Sequence, residues 1–193
     1  MKVIISGYDF NRIMRVCMPS LSKDTTRLPL MYILLECNGN GTGCATSLDG
    51  FTLAQTRFPC EGDACKMLIF PLKKVNNDLP VVIENDGDKT SITSDDTTIT
   101  KKVPAAGCYV DHTKIAKGAQ GKKKTATIAF NPNLLATIIK SHKDHSKPLF
   151  FDIYGEDDAV VVSTGESIGL LLPVRVMHER DTPEFWEMIA NGD

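Results

Sequence analysis

The stretch TATIAFNPNLLATIIK, residues 125–140, decides the reading of this chain. Residues 125–130 carry strand-forming side chains. Asn131 can cap a helix with its side-chain oxygen, and Pro132 falls at the first helical position, where its missing N–H costs nothing. Leu134, Leu135, Ile138 and Ile139 recur at helical spacing and form one apolar stripe. Downstream, residues 148–154, 159–163 and 167–176 read as three strands parted by turns at 155–158 and 164–165. The unit is strand, helix, strand, strand, strand.

The same order stands at the start of the chain. Residues 2–6 read as a strand. Asp9 can cap a helix whose apolar positions are Phe10, Ile13, Met14 and Cys17. Pro19 would end it. Strands follow at 30–37, 44–48 and 51–58, with turn signals at residues 38–41 and at Asp49-Gly50. One such unit buries a single helix on one sheet, and two can share a core. Between them, residues 60–124 read as short strands at 66–72, 81–83, 89–93 and 97–103. They end in a Gly- and Lys-rich loop at 114–124. A tail, 177–193, carries Phe185, Trp186 and Ile189 and reads as a short helix that docks on its own domain.

Length and composition fit this picture. The 193 residues are 42% hydrophobic and 24% charged, with a formal net charge of −2. Such a chain buries a core without staples. Its overall charge gives no general pull toward nucleic acid, so binding to DNA needs local basic faces. No run approaches the roughly 18 apolar residues of a membrane span. The start has no signal-peptide pattern, so the expected compartment is the cytoplasm, with no membrane partner.

The six cysteines are Cys17, Cys37, Cys44, Cys60, Cys65 and Cys108. Several lie in apolar runs, where a free thiol behaves as a small hydrophobe. A zinc site from Cys37, Cys44, Cys60 and Cys65 would have C-x6-C and C-x4-C spacings, looser than those of most zinc modules. His142 and His145 flank Asp144 at the Lys-rich end of the second helix, where exposed histidines are common. No nucleophile elbow, phosphate loop or dinucleotide fingerprint is present. The expectation is therefore no catalytic residue, no metal and no cofactor.

Three motifs resemble the bacterial DNA sliding clamp, the beta subunit of DNA polymerase III. Phe130-Asn131-Pro132-Asn133-Leu134-Leu135 is similar to the family's phenylalanine–asparagine–proline helix start. Residues 158–163 with Leu171-Leu172-Pro173-Val174-Arg175-Val176 are similar to its final hairpin and closing Met-Pro-(Met/Val)-Arg-Leu. Ala45-Thr46-Ser47-Leu48-Asp49-Gly50-Phe51-Thr52-Leu53-Ala54 is like its Ala-Thr-Asp-Gly-x-Arg-Leu-Ala, with Thr52 in the place of the arginine. The resemblance implies an α+β clamp-type domain over 1–176. It would be built from duplicated β-α-β-β-β units, with two helices packed on antiparallel sheet. Residues 60–124 would be an irregular β-rich insertion.

The resemblance also implies a function. A clamp-like processivity factor binds double-stranded DNA without reading its sequence and serves a DNA polymerase or other replication proteins. Because a clamp chain carries three such domains, this chain would act as a homo-oligomer. The DNA-facing residues would be Arg12 and Arg15 on the first helix and Lys140, Lys143 and Lys147 at the end of the second. Such cations neutralise phosphates without sequence readout. The same residues also suit an ordinary solvated helix face. A pocket for partner peptides would use Gly50, Phe51 and Leu53, Asn131 and Leu134, and Leu172, Pro173, Val174 and Arg175. A second reading is a clamp-fold interaction module that binds proteins and does not encircle DNA.

Overall fold

Ser6 opens the first helix. Its Oγ accepts the backbone N–H of Asp9 at 3.0 Å and donates to the Asp9 carboxylate at 2.6 Å. One orphan N–H of the first turn is thereby satisfied, and a carboxylate sits at the positive end of the helix. The sequence points to Asp9 as the cap. Ser6 takes that place because its backbone is extended, and Asp9 moves into the first turn. Phe10, Ile13, Met14 and Cys17 all face inward and are buried, as their spacing requires.

The computed structural model describes residues 1–112, 128–141, 148–155, 157–164 and 167–174. The chain forms two compact units, Met1–Asp111 and His112–Gly192.

The first unit runs β1 (Lys2–Ser6), α1 (Gly7–Cys17), β2 (Ile33–Cys37), β3 (Thr42–Leu48), β4 (Leu53–Pro59), β5 (Glu61–Gly62), β6 (Cys65–Ile69), β7 (Pro80–Asn85), β8 (Lys89–Ser94) and β9 (Thr97–Lys102). Two antiparallel sheets result, ordered β5-β1-β7-β8-β9 and β4-β3-β2-β6. Residues 60–124 thus contribute β5 to β9, and these strands join sheets founded by β1 and β2.

The pairing reveals a second repeat inside this unit. The first copy is β1, α1, β2, β3, β4. The second is β6, a connection over residues 70–79, then β7, β8, β9. Each copy's first strand completes the other's sheet: Ile4 of β1 faces Val82 of β7, and Leu68 of β6 faces Leu34 of β2. The two four-stranded runs, β1-β7-β8-β9 and β6-β2-β3-β4, are therefore equivalent in wiring. In the second copy no helix forms. Pro71 and Pro80 bracket a short stretch whose Leu72, Val75 and Leu79 recur at helical spacing, but Asn76-Asn77-Asp78 interrupts it and favours turns.

One core joins both sheets and α1. It includes Val3, Ile5, Val81, Ile83 and Ile92 from the first sheet, and Leu34, Leu35, Ala45, Met67, Leu68 and Ile69 from the second. Thr90 of β8 donates its hydroxyl to the Leu68 carbonyl of β6 at 2.8 Å, a polar link from sheet to sheet in a fully buried place.

In the second unit Asn131 caps α2 (Pro132–Ser141) as its sequence indicates, its Oδ1 accepting the Asn133 N–H at 2.9 Å. The antiparallel strands β10 (Phe150–Asp152), β11 (Val160–Ser163) and β12 (Ile168–Leu171) follow. Val160, Val162 and Leu171 form a small core, with Leu135 and Ile138 of α2 packed against it. The strand expected over 125–130 is absent at 128–130. Among the described residues, Ala129 there accepts a backbone bond from Val174 at 2.8 Å. Residues 125–127 lie outside the described residues. So do the Lys122-Lys123-Lys124 run, the three histidines His142, His145 and His178, and the 177–193 tail.

Candidate functional site

The helix α1 separates its two arginines. Arg12 turns toward β4. Its Nη2 meets the Asp9 carboxylate at 2.6 Å and the Arg57 carbonyl at 2.7 Å, and its Nη1 meets the Thr56 hydroxyl at 3.0 Å. A guanidinium with these partners ties helix to sheet. Arg15, one turn on, is exposed and makes no ion pair among the described residues.

Beside Arg15 lies a groove of about 540 Å³ between α1 and the connection that replaces the second copy's helix. Lys73 and Lys74 stand on its far wall and are exposed. The sequence reading did not single out this pair. Lys73-Lys74 lies between Pro71 and Asn76-Asn77, and nothing local to these residues places it against α1.

The Asp49-Gly50 turn shapes the tip of the β3–β4 hairpin. Asp49 accepts the N–H groups of Thr52 and Phe51 at 2.7 and 2.8 Å. These bonds, that from Thr52 foremost, hold its carboxyl below the usual carboxylate range. Gly50 has φ +96, a conformation that suits glycine. Phe51 follows with 95% of its surface exposed, and Leu53 is also exposed. Exposed apolar side chains are ordinary when scattered singly; here two stand within three residues at one hairpin tip.

Among the pocket residues of the second unit, Asn131, Leu134, Leu172 and Val174 are exposed and Pro173 is half-buried. The Val174–Ala129 bond brings residues 172–174 beside the start of α2. Lys140 is exposed in the last turn of α2. Lys143, Lys147 and Arg175 lie outside the described residues.

The thiols divide in the same way. Cys37 hydrogen-bonds with the thiols of Cys60 and Cys65, and it faces Cys65 directly across β2 and β6. Cys44 sits apart, near Glu36 and Thr46. Burial raises all four thiols, Cys44 to about 12. Raised, protonated thiols are poor ligands and poor nucleophiles. Among the described residues no group of three or more His, Cys, Asp or Glu has a metal-holding arrangement.

No protein-family model matches the chain, and no curated protein matches its sequence. Solved structures do match in fold. The DNA polymerase III beta chain of Streptococcus pneumoniae superposes with a TM-score of 0.70 at 13% identity, over 93% of this chain and 51% of that one. The beta sliding clamp of Caulobacter crescentus gives 0.68 at 14%, over 89% and 50%. The DNA polymerase III beta subunit of Borrelia burgdorferi gives 0.68 at 12%, over 89% and 47%. The chain spans about half the length of these clamps. Two antiparallel sheets of repeated wiring, a helix packed across them and this set of neighbours together establish its fold as that of the bacterial DNA sliding clamp.

Proposed function

We propose that this chain is a clamp-like processivity factor, a cytoplasmic non-enzymatic protein. It holds duplex DNA without reading sequence and offers an apolar seat to peptides of a DNA polymerase or other replication proteins. The observation that carries this reading is the clamp fold itself, found over about nine-tenths of the chain. The exposed Arg15 on the polar side of α1, with no ion pair among the described residues, supports it, because a sequence-independent grip on DNA needs cations aimed at phosphates and little else. Lys140 adds one more at the end of α2. A chain of about half a clamp's length closes a circle only with further copies, so the proposed working form is a homo-oligomer.

The test is retention on DNA. A ring stays on covalently closed circular duplex after a wash in high salt and slides off once the circle is cut. Equal loss from circle and linear duplex would refute encirclement. Sedimentation over a range of concentrations reads the assembly directly, and a strict monomer would refute the ring.

A second reading has its own support. Phe51 and Leu53 at the hairpin tip, and Leu134, Leu172 and Val174 in the second unit, expose apolar surface suited to protein partners. In that reading the chain is a clamp-fold interaction module. It predicts capture of apolar partner peptides with no measurable affinity for duplex DNA.

A further inference from the structure

The connection over residues 72–79 runs antiparallel to α1 and is fixed to it at three levels. Gly7 donates its N–H to the Leu79 carbonyl at 2.9 Å. Asn11 bonds in both directions, its amide nitrogen to the Val75 carbonyl at 2.8 Å and its oxygen from the Val75 N–H at 2.9 Å. The same nitrogen also reaches the Asn77 side chain at 2.7 Å. Near the groove's end, the Leu72 N–H points to the Met14 sulfur at 3.5 Å. The approach is so close that a Cβ on Gly7 would lie 1.9 Å from the Asn76 carbonyl oxygen. A segment without regular structure is thus held in one place.

This pinning has an electrostatic result. Arg15 on one wall and Lys73 and Lys74 on the other face the same groove, and no carboxylate lines it among the described residues. None of the three has an ion pair there. Like charges held close together on a fixed frame repel one another, and a bound polyanion relieves that repulsion. The lining also includes the apolar Met14, Met18 and Leu72 beside polar Asn11 and Asn77. A surface that mixes cationic and apolar groups matches phosphate joined to deoxyribose better than it matches a small hydrated anion.

We propose that this groove seats the sugar–phosphate backbone of duplex DNA. Lys73 and Lys74 of the connection supply phosphate contacts opposite Arg15, so the helix-free copy contributes to the grip alongside the helical one. The assignment rests on the DNA-binding reading above and names the residues that carry it in the first unit.

The test uses the full chain and a fluorescent duplex of arbitrary sequence, with affinity measured across a salt series. Lys73→Ala with Lys74→Ala should lower the steepness of log K against log salt by about 2, near one unit per phosphate contact. The loss should be the same for unrelated sequences. Lys66→Ala with Lys89→Ala, an equal charge change on strands β6 and β8, should leave the slope as it is. All four lysines are exposed, so folding serves as a check by thermal melting. If the wild-type chain binds duplex and the Lys73/Lys74 variant keeps its slope, the groove assignment is wrong while the DNA-binding reading stands. If the wild-type chain binds no duplex at any salt, both fall. If a poly-glutamate peptide displaces the duplex at matched charge and concentration, the groove is a seat for acidic peptide and the assignment to DNA is overturned.

Discussion

Replacing Thr90 with valine tests whether the two sheets of the first unit are joined by more than apolar packing. Thr90 is fully buried on β8. Its hydroxyl donates to the Leu68 carbonyl at 2.8 Å and accepts the Asn85 amide at 2.9 Å. Valine keeps the shape and removes both bonds. Leu68 and Asn85 are themselves buried, so a carbonyl and an amide N–H are left without partners. Asn85 is unable to turn away, because its Oδ1 holds the Gly87 N–H at 3.0 Å. Each stranded group costs about 1–3 kcal/mol. The methyl that replaces the hydroxyl returns roughly 0.8 kcal/mol. The net expectation is a loss of about 1–5 kcal/mol, centred near 3, read as a lower urea midpoint at unchanged m. Thr90→Ser keeps both bonds and removes one methyl, so it should cost about 1 kcal/mol. The order matters more than the values. If valine is tolerated as well as serine, the polar link does not hold the sheets and the reasoning fails.

Other expectations follow from the same geometry. Arg12→Ala should destabilise by about 1.5–3 kcal/mol, since a buried Asp9 and two β4 acceptors lose a charged partner. Arg15→Ala should stay within about 0.5 kcal/mol on denaturation. Equal effects would mean that the two arginines are not divided between scaffold and surface. Burial holds the Cys17 thiol up at about 11 and Cys44 at about 12, against 9.0 for a free thiol. Both stay protonated in the folded chain at a pH where the unfolded chain ionises. Their contribution is whole below pH 9 and is lost as pH climbs from there toward 11 and 12. Urea midpoints should therefore fall over that interval, and less steeply in Cys44→Ala; a flat profile would refute the burial of these thiols. At neutral pH a thiol reagent should modify Cys108, the exposed cysteine, well before Cys17, Cys37 or Cys44. Phe51→Ala should leave stability unchanged within about 0.5 kcal/mol, because nearly all of the ring is in solvent. It should also weaken capture of apolar partner peptides, and unchanged capture would remove the hairpin tip from the proposed seat.

Much of the fold was legible where side chains answer to local rules. The α1 stripe, the Asn131-Pro132 helix start and the Asp49-Gly50 turn all depend on neighbours within a few residues. What stayed hidden depends on distant partners. The sequence places Arg12 and Arg15 on one side of a helix. It does not show that Thr56 and the Arg57 carbonyl claim the first and leave the second free. The repeat within residues 65–102 escaped for a related reason. In the second copy the helical spacing of Leu72, Val75 and Leu79 is short and is cut by Asn76-Asn77-Asp78 between two prolines, and only the pairing of β6 with β2 and of β1 with β7 exposes its wiring. The groove went unseen with it, since Lys73 and Lys74 gain meaning only once Asn11 fixes their backbone beside Arg15.

The exchange of first strands has a consequence for how this unit is made. β1 has only the two-residue β5 beside it until β7 exists, and the Met1 amino group waits for the Asn85 carbonyl 84 residues later. Neither copy contains a finished sheet, so a ribosome that has released only the first copy has released an open edge. The two copies behave as a dimer written into one polypeptide, each donating a strand to the other. Severing the chain between β5 and β6 should therefore yield two pieces that recombine, and neither piece should fold when expressed alone.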